Sequence, residues 1–496
     1  MKKQSLLLFL GTLLIYLAFL PPGIYSIDGY SMLAVADSLV THHNMTVPAG
    51  SGMVGKDGQT YSLWYPLQSV LAVPVVAAAV KASSVTHLPL HYVESFSVTI
   101  LPALYTALTV PLVYLISMSL GSLEIGAWLA AITYGFGTMA LAYTRDFYAD
   151  PLVALLFALG ILLAFRQNAS WVIVLVTALA VLAKPTGIIL GPVLSAYLFL
   201  KTRNFRFSLL PGLGSAIGLA TYFLYNFYRF GDFRTFGQPW AFSLGNVPQG
   251  LAGLLISPGA GLLWFCPCVV LAVAALWQIR TRRLEAWTIA ALAASSLLLH
   301  SLWLAWNGGS SWGPRLLLPV LPGLVALTGV FGNGGRKLLA MSALLGFFLT
   351  APNLVASYKR SYAEAGEHGV SYAELMWQPR RSLLLNGWPA AVRQIQDARQ
   401  SDVRELFAQR TGIPASTIAT SRALRIVEVW WWVLPVVNIS RVWGMLISGL
   451  LTVSGIWLLA LGRLRSIQVT DPNGLSPMGN RGPGTETFSN KLSAEL

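Results

Sequence analysis

Apolar runs long enough to cross a lipid bilayer recur along this chain, and their repetition limits its fold more than any motif does. A helix of about 18 or more apolar residues covers a ~30 Å hydrocarbon core. Such runs extend from "LLLFLGTLLIYLAFL" near the start to "VWGMLISGLLTVSGIWLLALG" near the end. Of 496 residues, 55% are hydrophobic and 10% charged, whereas soluble domains carry roughly 25% charged residues. The fold class is therefore all-α, a polytopic membrane protein of about 12 transmembrane helices. Helical periodicity says little inside these runs, because a helix among lipids and other helices is apolar all round.

Positive charge orders the spans. The net charge of +14 reads as lysine and arginine holding short loops on the cytoplasmic side, with no nucleic-acid partner. "PPGIYS" lacks a small-x-small cleavage site, so the first apolar run is an uncleaved span with Lys2 and Lys3 inside. Spans follow at about 5–22, 94–119, 126–143, 151–165, a pair within 171–200, 208–227, 258–279, 285–303, 316–331, 338–352 and 443–461. The loops rich in positive charge, at Arg203 and Arg206, Arg280 to Arg283, Arg336 and Lys337, and Arg463 and Arg465, then share one side. The run 66–82, broken by Pro66 and Pro74, reads as a helix lying at the outer surface. The outer segment 353–441 carries helical spacing at Val392, Ile395, Ala398, Leu406 and Phe407, with a stop at Gly412.

Under this topology unusual polar residues converge on the outer boundary. "LAYTRDFYADPLVALL" (141–156) holds Arg145, Asp146 and Asp150 between two apolar stretches. Asp28 opens an amphipathic helix with Met32, Leu33, Ala36, Leu39 and Val40 on one face. "GKDGQTYSLWYP" adds Asp57, Tyr61, Trp64 and Tyr65; Lys184 sits in the turn "AKPTG"; "WNGGSSWGPRLLLP" carries Trp312 and Arg315. Structural readings stand beside each. Asp28 and Asp150 are good helix N-caps, and Arg145 and Lys184 can be snorkelling anchors. Arg315, behind glycines and a proline, reads as a shaped loop meeting an anion. Cys266 and Cys268 fit no zinc or redox spacing, and Pro89 breaks the helix that would align His87 with His91.

The ordered set resembles the GT-C superfamily of membrane glycosyltransferases, in particular the branch of protein O-mannosyltransferases and lipid A aminoarabinose transferases. The likeness covers residues 1 to about 350. It rests on Asp28 just after span 1, Asp150-Pro151 at the end of span 3, "WNGGSSWGPR" and "LLISPGAGLLWFCP". Two features depart from the branch: Asp28 is followed by Gly29 rather than a second acid, and "YSLWYP" lacks the Lys-Pro-Pro of the first loop. Lys184 and Arg315 are the candidates for the missing phosphate ligand.

The resemblance implies a plasma (inner) membrane enzyme, multi-pass, with its active site on the extracytoplasmic face. It would move a sugar from a polyprenyl-phosphate-sugar donor to a lipid, glycan or protein acceptor, with inversion. Asp28 is the expected general base. Arg315, Lys184, Asp150, Asp146, Arg145, Tyr61 and Trp312 are the expected donor and phosphate-binding residues. No cofactor is implied and no metal is assigned. The expected organisation is a transmembrane catalytic module over 1–352, with surface helices in outer loop 23–93. An outer helical segment 353–441, a last transmembrane helix 442–465 and a disordered cytoplasmic tail 466–496 follow. The rival reading is a lipid-linked sugar flippase or other transporter, whose charges would lie near the bilayer midplane; here they gather at one edge.

Overall fold

A backbone in hydrocarbon has no water to bond, so this chain pairs its amides within helices. The computed structural model describes residues 2–24, 26–167, 171–235, 241–400 and 426–470, with side chains as far as 464. Among the described residues, seven helices are long and apolar enough to cross a membrane. They are Pro66–Thr86, Leu90–Ser119, Pro185–Thr202, Phe205–Phe230, Arg283–Ser301, Asn333–Leu354 and Arg441–Leu464. Shorter apolar helices include Asp150–Phe165, Trp171–Ala183, Cys268–Gln278 and Arg315–Val330. The only described strands are Met53–Val54 and Thr60–Tyr61, an antiparallel pair beyond the helix Ile27–Thr41.

Asp150–Phe165 runs through the centre, with twelve of its sixteen residues buried. It packs on Ile100–Ser119, Trp171–Ala183 and the segment beginning at Arg315. The first helix, Lys2–Ala18, lies along the last, Arg441–Thr470, where Gly11 and Gly455 bring the two backbones together. A Cβ on Gly455 would stand 2.7 Å from the Gly11 carbonyl oxygen. Small residues at a crossing let helices approach where lipid offers no hydrophobic drive. The rest of that last helix turns Leu446, Leu450, Val453 and Trp457 outward, as a helix facing hydrocarbon does.

Several details differ from the sequence reading. Pro66–Thr86, expected on the outer surface, is one of the seven helices of spanning length. Val247–Ile256 forms a helix where the reading had a loop before span 8. The last helix continues to Thr470, and the expected disordered tail from 471 on lies outside the described residues, as do Leu406, Phe407 and Gly412. Leu383–Gln400 covers the rest of the expected outer helix.

Candidate active site

Four helix ends meet around one cavity of about 570 Å³, and each brings a charge or a base for a local reason. Asp28 lies in the first turn of Ile27–Thr41, where an acid is favoured by the helix dipole. The cap there is Ser26, whose Oγ accepts from Gly29 N at 3.1 Å, so Asp28 is free of the capping role. Asp150 is the first residue of its helix, followed by Pro151, and makes no capping bond. Lys184 precedes Pro185 and is held extended at φ −165° and ψ 127°, as a residue before proline prefers. That conformation ends the helix Trp171–Ala183 and turns the lysine into the cavity. Arg315 follows a loop in which Gly308, Gly309 and Gly313 all have positive φ, between 67° and 77°, a region side chains avoid.

The charges form a chain. Arg315 Nη1 donates to Asp28 Oδ2 at 2.9 Å, its Nε stands 3.8 Å from Asp150 Oδ2, and its Nη2 donates to the Gly308 carbonyl at 2.8 Å. Lys184 Nζ closes the row on Asp150 Oδ1 at 2.6 Å. The Arg315 guanidinium lies 4.1 Å from the centre of the Tyr148 ring, close enough for cation–π attraction. A third cation enters from the segment after the last-but-one long helix. Lys359 Nζ donates to Tyr148 Oη at 2.5 Å and to the Ser310 carbonyl. Burial pushes its ammonium down to about 8, against the pull of Asp146. Trp64, Tyr65, Tyr222, Phe242, Trp303 and Tyr362 make up much of the wall.

Of the expected residues, Asp28, Asp150, Lys184 and Arg315 line this cavity together. Four others lie elsewhere. Asp146 does not line it: residues 144–149 are not helical, and of this stretch Tyr148 and Ala149 reach the cavity. Its Oδ1 accepts from Ser26 Oγ and Phe147 N, both at 2.9 Å, and burial raises its carboxyl above the ordinary value. Asp146 thus supports the turn that carries Asp28. Arg145 donates to the carbonyls of Phe19 and Glu428 and is a cross-link between distant segments, not an interfacial anchor. Tyr61 donates to Asp57 Oδ2 at 2.8 Å and packs against Tyr228 and Phe230, outside the cavity. Trp312 is 1% exposed and packs edge-on to Phe265. Its backbone is locked by Tyr143, whose hydroxyl donates to its carbonyl and accepts from its N–H, both at 2.9 Å.

Lys359, His300 and Tyr148 line the cavity without having been singled out in the sequence. Lys359 sits in "SYKRSY", a basic stretch between tyrosines after an apolar run; that pattern was the available signal. His300 lies on a helix whose composition hides it. Among the described residues no group of three or more His, Cys, Asp or Glu is placed to hold a metal ion.

No family model and no curated protein matches this chain. Among solved structures it is similar to ArnT from Cupriavidus metallidurans bound to undecaprenyl phosphate. The identity is 17% and the TM-score 0.48, over 95% of this chain and 81% of that one. The apo state of the same protein gives 15% identity and a TM-score of 0.46 over 94% and 79%. The archaeal oligosaccharyltransferase AglB from Archaeoglobus fulgidus, in complex with an inhibitory peptide and a dolichol-phosphate, gives 12% and 0.42. That match covers 86% of this chain and 60% of AglB.

Proposed function

We propose that this protein is an integral membrane glycosyltransferase, which moves a sugar from a polyprenyl-phosphate-linked donor to an acceptor hydroxyl on the extracytoplasmic face of the plasma membrane. One observation carries the reading: three cations, Lys184, Arg315 and Lys359, face two carboxylates in an aromatic-walled cavity at the ends of apolar helices. That leaves one positive charge to meet a phosphodiester, and aromatic walls suit the apolar faces of a sugar ring.

The chemistry then follows. Asp28 Oδ1 accepts the proton of the acceptor hydroxyl as general base, since among the described residues only Oδ2 is taken, by Arg315. The acceptor oxygen bonds to the anomeric carbon, and the bond from that carbon to the phosphate oxygen breaks with its electron pair, inverting the centre. The leaving group changes from a phosphodiester to a phosphomonoester and gains a negative charge. A cation beside it therefore binds the transition state more tightly than the ground state. Arg315 supplies a planar fork for two oxygens, with Lys184 and Lys359 on either side. Asp150 holds Lys184 and Arg315 apart and in place.

The test uses purified full-length protein in detergent with synthetic farnesyl-phosphate sugars and a hydroxyl acceptor. Free farnesyl phosphate and an inverted glycoside should appear in equal amounts. Solubilised protein has no second compartment, so a transporter would release none; a retained anomeric configuration would also overturn the single displacement.

A further inference from the structure

His300 belongs to the cavity wall, yet transfer as described makes no use of it. It is 3% exposed, in the last turn of Arg283–Ser301. Its Nδ1 stands 2.8 Å from the Ser296 carbonyl oxygen and 3.3 Å from Ser296 Oγ. A carbonyl only accepts, so Nδ1 carries the proton, and in the neutral ring Nε2 keeps its lone pair. Nε2 is buried and has no hydrogen-bond partner. The charged groups around it are engaged with one another: Asp150 with Lys184 and Arg315, Arg315 with Asp28, and Lys359 with Tyr148 and Ser310.

The lone pair of a neutral ring at this point repels a phosphate and attracts an O–H. We infer that His300 is a specificity-determining residue whose Nε2 accepts a hydrogen bond from one hydroxyl of the transferred sugar. The inference rests on the donor site proposed above and deepens it. The cations read the phosphate, which every prenyl-phosphate sugar shares, while His300 reads the sugar. A site built to bond a hydroxyl rejects the analogue lacking it, because a buried polar atom is then left without a partner.

The experiment compares farnesyl-phosphate mannose, glucose and arabinose with analogues in which each sugar hydroxyl in turn is replaced by hydrogen. The purified full-length protein is assayed as wild type, His300→Phe and His300→Gln. In wild type, loss of one particular hydroxyl should lower kcat/KM between about tenfold and about 10⁴-fold. His300→Phe, a ring without an acceptor, should process the intact and deoxy sugars within about threefold of each other, whereas His300→Gln should restore part of the preference. A wild type indifferent to every hydroxyl overturns the inference, as does a preference that survives in His300→Phe. A second readout needs no turnover and no folded variant at position 300. With His42, His43, His87, His91 and His368 replaced, the ¹⁵N signal of His300 Nε2 should shift with the intact sugar donor and not with the deoxy one. Equal responses to the two overturn it. If wild type transfers no sugar but Nε2 still discriminates, the transferase reading fails and the His300 contact stands. Transfer without discrimination does the reverse.

Discussion

Two kinds of buried arginine occupy this molecule, and the contrast separates framework from site. Arg145 and Arg229 donate to backbone carbonyls: Arg145 to Phe19 and Glu428, Arg229 to Ser62 and Trp64. Arg229 is fully buried, with its guanidinium 3.9 Å from the Tyr225 ring centre. Among the described residues neither has a carboxylate partner, and neither lines the large cavity. Arg315 lies between two carboxylates at the edge of open volume. Arg145 and Arg229 reach carbonyls 126 to 283 residues away and tie distant segments together, whereas the carbonyl bond of Arg315 goes to Gly308, only 7 residues back. A carboxylate beside a cavity can share its arginine with a phosphate, since one anion then substitutes for another. The same residue type is a strut in the first setting and a ligand in the second.

The contrast breaks most readily at Asp28. Asp28→Asn keeps shape and can still bond Arg315 but takes no proton, so turnover should fall by about 10²–10⁴-fold with the protein folded and inserted. More than a tenth of wild-type rate would remove Asp28 from the base role. Arg315 gives the next effect. Arg315→Lys should lower kcat by about 10- to 100-fold and Arg315→Ala by up to about 10³-fold, because a point charge lacks the fork and a methyl lacks the charge. The loss should fall on kcat more than on donor KM; equal rates for lysine and arginine would make Lys184 the leading phosphate ligand.

Lys359 sharpens the comparison through pH. Its ammonium, pushed down to about 8 by burial, is charged below that pH and neutral above it. As pH rises through about 8 the donor phosphate loses a cation, so kcat/KM should decline by at most about tenfold per pH unit. Lys359→Arg should flatten that alkaline limb, since arginine stays protonated; an unchanged limb would assign the titration to another group. The smallest effect on catalysis belongs to the struts. Arg145→Met leaves the part-buried Phe19 carbonyl and the buried Glu428 carbonyl without this donor, the buried one at about 1–3 kcal/mol. The melting temperature in detergent should drop while kcat/KM of the folded protein stays within about twofold of wild type. A large loss of turnover with unchanged stability would erase the distinction between strut and ligand.

The sequence reading and the structure agree on helices and diverge on partners, and residues 145–150 show why. Arg145, Asp146 and Asp150 are adjacent in the chain and look like one cluster. The structure sends Arg145 to two distant carbonyls, Asp146 to Ser26 and Asp150 to Lys184. Six residues of non-helical chain, 144–149, are enough to aim side chains in opposite directions, and nothing local in composition records the aim. Tyr61 and Trp312 fail as cavity residues for a related reason: an aromatic side chain at a membrane boundary packs wherever volume allows, and its neighbours come from other helices. Lys359 joins the site from the segment 353–441, where the sequence pattern marks helical spacing and no site residue.

By itself the sequence determined an all-helical membrane chain, and marked Asp28, Asp150, Lys184 and Arg315, together with Asp146, Arg145, Tyr61 and Trp312, as residues needing an explanation. Both follow from local energetics. Apolar length decides insertion, and a charge beside hydrocarbon is costly wherever the rest of the chain lies. Only the tertiary structure decided which charges pair, since Arg315 and Asp28 are 287 residues apart in sequence. It also decided that Lys359 and His300 face the cavity while Arg145 and Tyr61 do not. Pairing depends on which helix ends meet, and helix ends meet through packing shape, which hydropathy does not encode.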